Sequence, residues 1–177
     1  MPSKKAQELR GRIDAAWENL SRQLQGMDAY MERSDAPGEW TTREVLSHLL
    51  FEPGFDPTEI LGKFAERDYP LVEITPGDTY LDDQRRQMTL AQLKAALDAQ
   101  RRRVLACIDG LEEQEFDRKA RIPLFKQFMG TDEITISMYV GALFDYHWND
   151  HAGQLAKIRR AVGLASDPGV KSSGVPI

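Results

Sequence analysis

The 177-residue chain has a single cysteine, Cys107, so no intrachain disulfide supports it. No segment approaches the ~20 apolar residues that a bilayer span requires. The basic N-terminus, MPSKKAQELRGRID, has no apolar stretch behind it to make a secretory signal. Positive charge is in deficit: 23 Lys and Arg against 28 Asp and Glu leave a net charge of -5, which argues against a general affinity for nucleic acid. These absences predict a cytoplasmic protein with neither nucleic acid nor membrane as a partner. What is present is an ordinary globular balance, 41% hydrophobic and 29% charged, in a chain long enough to bury a real core.

Helical periodicity dominates. Leu9, Ile13, Trp17, Leu20, Leu24, Met27 and Met31 recur three and four apart, predicting one amphipathic helix over residues 4–33. Thr41 and Glu44 read as a capping box opening a short helix that must stop before Pro53. A long connection over residues 53–88 follows, either a lid over a site or a plain crossover, with Asp56-Pro57 starting a short helix that ends near Arg67. Thr89 and Gln92 form a second capping box, and Leu90, Leu93, Leu97, Val104, Ile108 and Leu111 mark the third long helix. In the loop over 112–132, Ile122, Leu124 and Phe125 are expected to cover one end of the core, and a fourth helix runs from Glu133 to Val162. The expected architecture is all-α: a four-helix bundle over residues 1–163 with a long crossover between helices 2 and 3. A flexible tail, residues 164–177, is expected to follow, and no strand set is large enough for a sheet.

The chain has only three histidines. His147 and His151 lie four apart, so on a helix they leave the same face, turned by about 40° and separated by about 6 Å. Ile136, Val140 and Leu143 precede them on that stripe and Leu155 and Ile158 follow; His48 sits likewise between Val45 and Leu49. A single histidine on an apolar stripe is ordinarily a hydrogen-bonded core residue. Three inward imidazoles without a shared partner, however, would cost several kcal/mol, and one cation held by their ring nitrogens removes that cost. His48, His147 and His151 are therefore the candidate metal ligands.

The run W-T-T-R-E-V-L-S-H-L at 40–49, followed by H-W-N-D-H-A-G-Q-L-A-K-I-R at 147–159, resembles the DinB-like superfamily. The resemblance extends over residues 5–163 and implies a four-helix bundle whose metal is held by the histidines at 48, 147 and 151. It also implies the chemistry of that family: metal-dependent transfer to low-molecular-weight thiols such as bacillithiol or mycothiol, thiol-dependent isomerisation, or a hydrolytic branch that protects against a reactive natural product.

Three histidines leave a tetrahedral ion at least one open position, which suits activation of a thiol or of water. Zinc or nickel is the expected metal, with manganese and iron compatible with imidazole. The expected function is a metal-dependent transferase joining a low-molecular-weight thiol cosubstrate to a small electrophilic substrate. The alternatives are a hydrolase and a protein that sequesters a metabolite or metal. Glu52, four residues after His48, is the one candidate general base, although its place at a helix end favours solvation. Asp145 and Asp150 are expected at the surface or beside the ligands. Trp17 reads as core and Trp40 as a hydrophobic staple; Trp148 faces either a neighbouring helix or a second copy in a homodimer. Cys107 reads as a buried small hydrophobe.

Overall fold

The computed structural model describes residues 1–66, 69–75 and 77–165. Most of the expected tail and the expected end of the Asp56 helix at Arg67 lie outside the described residues. The elements in chain order are α1 (Lys4–Gln23), α2 (Thr42–Leu49), α3 (Pro57–Glu66), α4 (Asp83–Gln87), α5 (Leu90–Asp109), β1 (Lys119–Arg121), α6 (Lys126–Met129), β2 (Glu133–Thr135), α7 (Ile136–Gly141), a π-helical segment (Ala142–Trp148) and α8 (Asn149–Ala161). Together α7, the π segment and α8 make the fourth helix of a four-helix bundle. Helix α1 packs on α5 and on α8, and α2 also packs on α5 and α8, so the sequence neighbours α1 and α2 lie across the bundle from each other. None of the described helices is long and apolar enough to cross a membrane.

Both capping boxes form. Thr41 accepts from the Glu44 amide while the Glu44 carboxylate takes the Thr41 amide, and Thr89 and Gln92 do the same at α5. Each satisfies two of the donors that a helix start would otherwise leave open. The buried face of α1, with Leu9, Ile13, Ala16 and Leu20, meets that of α5, with Leu93, Leu97, Val104 and Ile108.

Four expectations need correction. Helix α1 stops at Gln23 instead of running to residue 33, because Gly26 turns the chain with a φ of 73°. Met27 and Met31 remain buried through a short 3-10 turn at Asp28–Tyr30, and Arg159 of α8 donates to the carbonyls of Gln23 and Gln25. The fourth helix starts at Ile136 rather than Glu133, since β2 pairs antiparallel with β1, with Ala120 opposite a buried Ile134. Thr135 then caps α7 by accepting from the Met138 amide at 3.2 Å. Cys107 is exposed, not buried. Three residues beyond Val104 it has turned by about 60° from the stripe that Val104 and Ile108 define. Trp17 is half-buried at the core's edge, beneath Lys94 and Arg101, with its ring 6.0 Å from that of Trp148. Trp148 itself is fully enclosed within the chain, against Phe144, so it has no face for a second subunit.

The crossover is more ordered than its composition implies. Helix α3 packs on α5 and β1, and Val72 donates to the Arg121 carbonyl at 2.9 Å while Arg121 donates to that of Pro70 at 2.8 Å, a single parallel bridge at Leu71 that ties this stretch to β1. Ile122 and Phe125 bury over one end of the core as expected. Helix α4, which has no apolar stripe to announce it, is capped by Asp82. From α4, Arg85 donates to the Ser47 carbonyl at 2.9 Å and the Tyr80 carbonyl at 3.4 Å, while Arg43 of α2 donates back to the carbonyls of Arg85 and Met88. The crossover is thereby strapped to the helix that carries His48.

Candidate metal centre

His48 comes from α2, His147 from the π segment and His151 from the first turn of α8, and all three are buried. The Nε2 of His147 lies 2.8 Å from that of His48 and 3.2 Å from that of His151. The π segment changes the expected plain helix: its wider turn ends at Trp148, between the two histidines, so their faces are set by a π-to-α junction.

Each ring is oriented from behind. His48 Nδ1 donates to the Asp78 carbonyl at 2.6 Å, and His151 Nδ1 donates to Gln154 Oε1 at 2.8 Å. With their protons committed there, both rings turn a bare Nε2 lone pair into the cluster. Trp40 does more than staple a helix start: its ring lies 4.8 Å from His48 and runs parallel to His151, 6° apart in plane at 6.0 Å. Tyr80 lies parallel to His48 with ring centroids 6.2 Å apart, and Phe51 faces His147 at 5.3 Å. Phe51 and Tyr80 both have left-handed backbones, with φ of 60° and 51°. That conformation is costly for a bulky side chain, and of the three such residues among those described, Phe51, Tyr69 and Tyr80, two stand beside the histidines.

Burial holds all three imidazoles neutral. His147 is pushed well below the ordinary range by desolvation and then by the neighbouring His151 and His48. His151 falls to about 4 for the same leading reason, then through His48, against the opposing Gln154 bond. His48 is lowered by burial, partly offset by the Asp78 carbonyl and charge.

Among the described residues these three histidines form the group that could hold a metal ion. At bond lengths of ~2.0–2.1 Å, ligand atoms of a tetrahedral shell lie roughly 3.3 Å apart and those of an octahedral shell roughly 2.9 Å apart. The separations of 2.8 and 3.2 Å fall at that spacing. One proton on His147 Nε2 could serve the lone pairs only by sharing, and it would leave His147 Nδ1, already buried without a partner, as a bare acceptor. A cation in the centre meets all three lone pairs at once and lets Nδ1 keep its hydrogen. The donor set fits a metal.

Glu52 stands apart from this cluster. Its carboxylate pairs with Arg103 at 3.0 Å, half-exposed, in a different surface cleft beside Arg85 and Gln100. Asp145 pairs with Arg12 at 2.6 Å, and Asp150 is half-buried on α8. The sequence offered one legible clue to the supporting groups: Gln154 follows His151 by three and so shares its face. The Asp78 carbonyl and the Tyr80 ring had no such signal, since a backbone acceptor from a loop carries no pattern.

Beside His48 and His147 opens a cleft of about 40 Å³, continuous with solvent at its mouth. The crossover residues Ile74, Thr75, Gly77 and Tyr80 form one wall, and Ala142 and Leu143 of the π segment lie among its other lining residues.

Comparison with known proteins places this architecture. The protein YuaE of Bacillus subtilis (strain 168), itself uncharacterised, is 24% identical over 159 residues, covering 81% of this chain and 92% of that protein. Among solved structures, YfiT from Bacillus subtilis superimposes with a TM-score of 0.67 at 19% identity, over 90% of this chain and 89% of YfiT. It is described as a probable metal-dependent hydrolase with an unusual four-helix bundle topology. A protein from Clostridium difficile 630 gives a TM-score of 0.61 at 14% identity, covering 89% of this chain and 96% of that one. At such identities these structures share the fold alone. The sequence model of the DinB superfamily matches residues 12–155, most of the bundle and every histidine, and the chain belongs to that superfamily.

Proposed function

We propose that His48, His147 and His151 hold one divalent metal ion, zinc or nickel foremost, and that the protein is a transferase joining a low-molecular-weight thiol to a small electrophilic substrate. The reading rests on one observation: three Nε2 atoms converge while the Nδ1 hydrogens of His48 and His151 are already donated elsewhere. An ion on three neutral imidazoles keeps its full double charge and has room in its shell, so it supplies Lewis-acid activation of a thiol. The Asp78 carbonyl and Gln154 hold the ligand rings in one tautomer, the Trp40 and Tyr80 rings lie beside them, and the crossover forms one wall of the cleft. In the transfer, a sulfur–carbon bond forms, the leaving group departs with its electron pair and the thiol proton passes to solvent.

The choice of thiol over water follows from the cleft wall. Among its described lining residues no carboxylate stands ready to take a proton from water, and Glu52 is engaged by Arg103. A thiol, with an ordinary pKa of about 8.5 against about 15.7 for water, would need less help from such a base once a cation stabilises the sulfur. The hydrolytic alternative has one supporting observation, the description of YfiT.

Metal analysis of the purified full chain and its His48→Ala, His147→Ala and His151→Ala variants tests the ligand set: one ion per chain is expected in the wild type and most of it lost in each variant. Full occupancy in any variant removes that residue. With cobalt substituted, bacillithiol, mycothiol, glutathione and coenzyme A at millimolar concentration are then screened for a near-ultraviolet sulfur-to-metal band. If all four fail while an activated ester is hydrolysed, the hydrolase reading replaces this one.

A further inference from the structure

The cleft beside the histidines has a composition that its neighbours lack. Phe51, Phe55 and Phe125 supply aromatic walls, and Ile74, Leu124 and Leu143 supply aliphatic ones. Phe51 stacks on Phe55 at 4.7 Å and faces His147, so the box is preformed and rigid. Its left-handed backbone, directly after the C-cap of α2, ends that helix and sets the ring in the cleft wall. The polar groups at the cleft, apart from the histidines, are Thr75 and Tyr80, and the Tyr80 hydroxyl reaches the Thr75 carbonyl at 3.4 Å. Burial, then Asp78, pushes the Tyr80 phenol up, so it stays neutral.

No charged side chain lines this cleft among the described residues. The nearby arginines face elsewhere: Arg85 serves the carbonyls of Ser47 and Tyr80, and Arg103 serves Glu52 in the separate cleft. A carboxylate or phosphate entering the aromatic box would lose water and gain no partner, whereas an aryl or branched-alkyl group would gain apolar contact on several sides.

We propose that this cleft selects uncharged substrates with an aryl or branched-alkyl body, seated among Phe51, Phe55 and Leu143 with the reactive head toward His48 and His147. The assignment deepens the reading of the histidines as a metal centre, and it places the charged parts of any thiol cosubstrate outside the box.

Two pairs of probes test it on the full chain. Metal-loaded protein is titrated with benzyl mercaptan and with its para-carboxylate, following heat and the cobalt band. Chelator-treated protein is titrated with toluene and with meta-toluate by ligand-observed nuclear magnetic resonance. In both pairs the neutral member should bind at least about tenfold more tightly, the signature of an uncompensated charge entering an apolar site. Ile74, only half-buried, tolerates change, so Ile74→Asp should weaken the neutral probes at least about tenfold with metal content unchanged, while Ile74→Leu keeps wild-type binding. Equal or tighter binding of the carboxylates, no detectable toluene binding, or indifference to Ile74→Asp overturns the proposal. A wrong metal reading shows itself differently: 2-mercaptoethanol then gives no cobalt band, while the toluene pair still reports on the cleft.

Discussion

The Nδ1 of His48 donates to the backbone carbonyl of Asp78 across 2.6 Å, joining a bundle helix to a loop thirty residues further along the chain. This bond makes the crossover part of the centre. The carbonyl fixes the tautomer of the ring, and the same loop continues into Tyr80, whose ring lies parallel to that of His48. What holds the loop at that distance is Arg85, through the carbonyls of Ser47 and Tyr80.

Arg85→Ala should therefore act at a distance from the metal. Loss of bonds from a charged donor to two carbonyls lowers stability by about 1.5–3 kcal/mol. Amide exchange at Asp78–Tyr80 should accelerate, and metal affinity should fall because the acceptor behind His48 is no longer held. Unchanged exchange at those amides would mean that α4 holds the loop without the guanidinium.

Gln154 serves His151 as Asp78 serves His48. Gln154→Ala should weaken metal binding about 10- to 100-fold, the usual cost of removing a group that orients a histidine ligand. Gln154→Glu, which keeps an acceptor at the same reach, should retain affinity. Competition with a chromophoric chelator reads both; equal affinity for the alanine variant and the wild type would remove Gln154 from the site.

The metal-free protein should lose stability as pH falls from 6.5 towards 4. Burial depresses His151 to about 4, so between those values the unfolded chain binds a proton that the native state refuses. The stabilisation from His151 is complete above pH 6.5 and declines as pH falls through the window. By pH 4 the loss from this group alone is on the order of 3 kcal/mol. Melting curves of chelator-treated protein from pH 7.5 to 4.5 should show this slope, and His151→Phe should reduce it, leaving the contributions of His48 and His147. A melting temperature constant over that range would mean that the native ring accepts the proton.

Cys107 should be chemically visible yet dispensable. It is exposed on α5, so Ellman's reagent should titrate one thiol in the native protein. The reaction should be slower than with a free thiol, since partial burial and then Asp56 keep its pKa up. Cys107→Ser should leave metal content unchanged and stability within about 0.5 kcal/mol. Loss of metal in that variant would bring the thiol into the centre.

Much of this architecture was legible from local pattern. The stripes through Leu9–Leu20 and Leu93–Ile108, the two capping boxes and the i,i+4 histidines all depend on residues within a turn or two of one another. Helix geometry acts on such spacings directly. The misreadings occur where a local pattern continued but the chain did not: the Met27 and Met31 stripe persists through a turn at Gly26, and Ile134 keeps helical spacing while pairing in a strand. In both, burial is satisfied by more than one backbone conformation, so apolar spacing cannot choose between them.

The sequence by itself determined that three imidazoles face inward from two distant helices, because periodicity dictates which face of a helix is buried. Only the tertiary structure decided that their Nε2 atoms meet, which follows from how α2 and α8 pack side by side and from the π turn between Ala142 and Trp148. It alone turned Glu52 towards Arg103, set the Trp40 and Tyr80 rings beside His48, and walled an uncharged aromatic cleft with the crossover. The physical reason is common to all of these: they depend on contacts between segments far apart in the chain, and on loop backbone whose carbonyls leave no mark in the side-chain pattern.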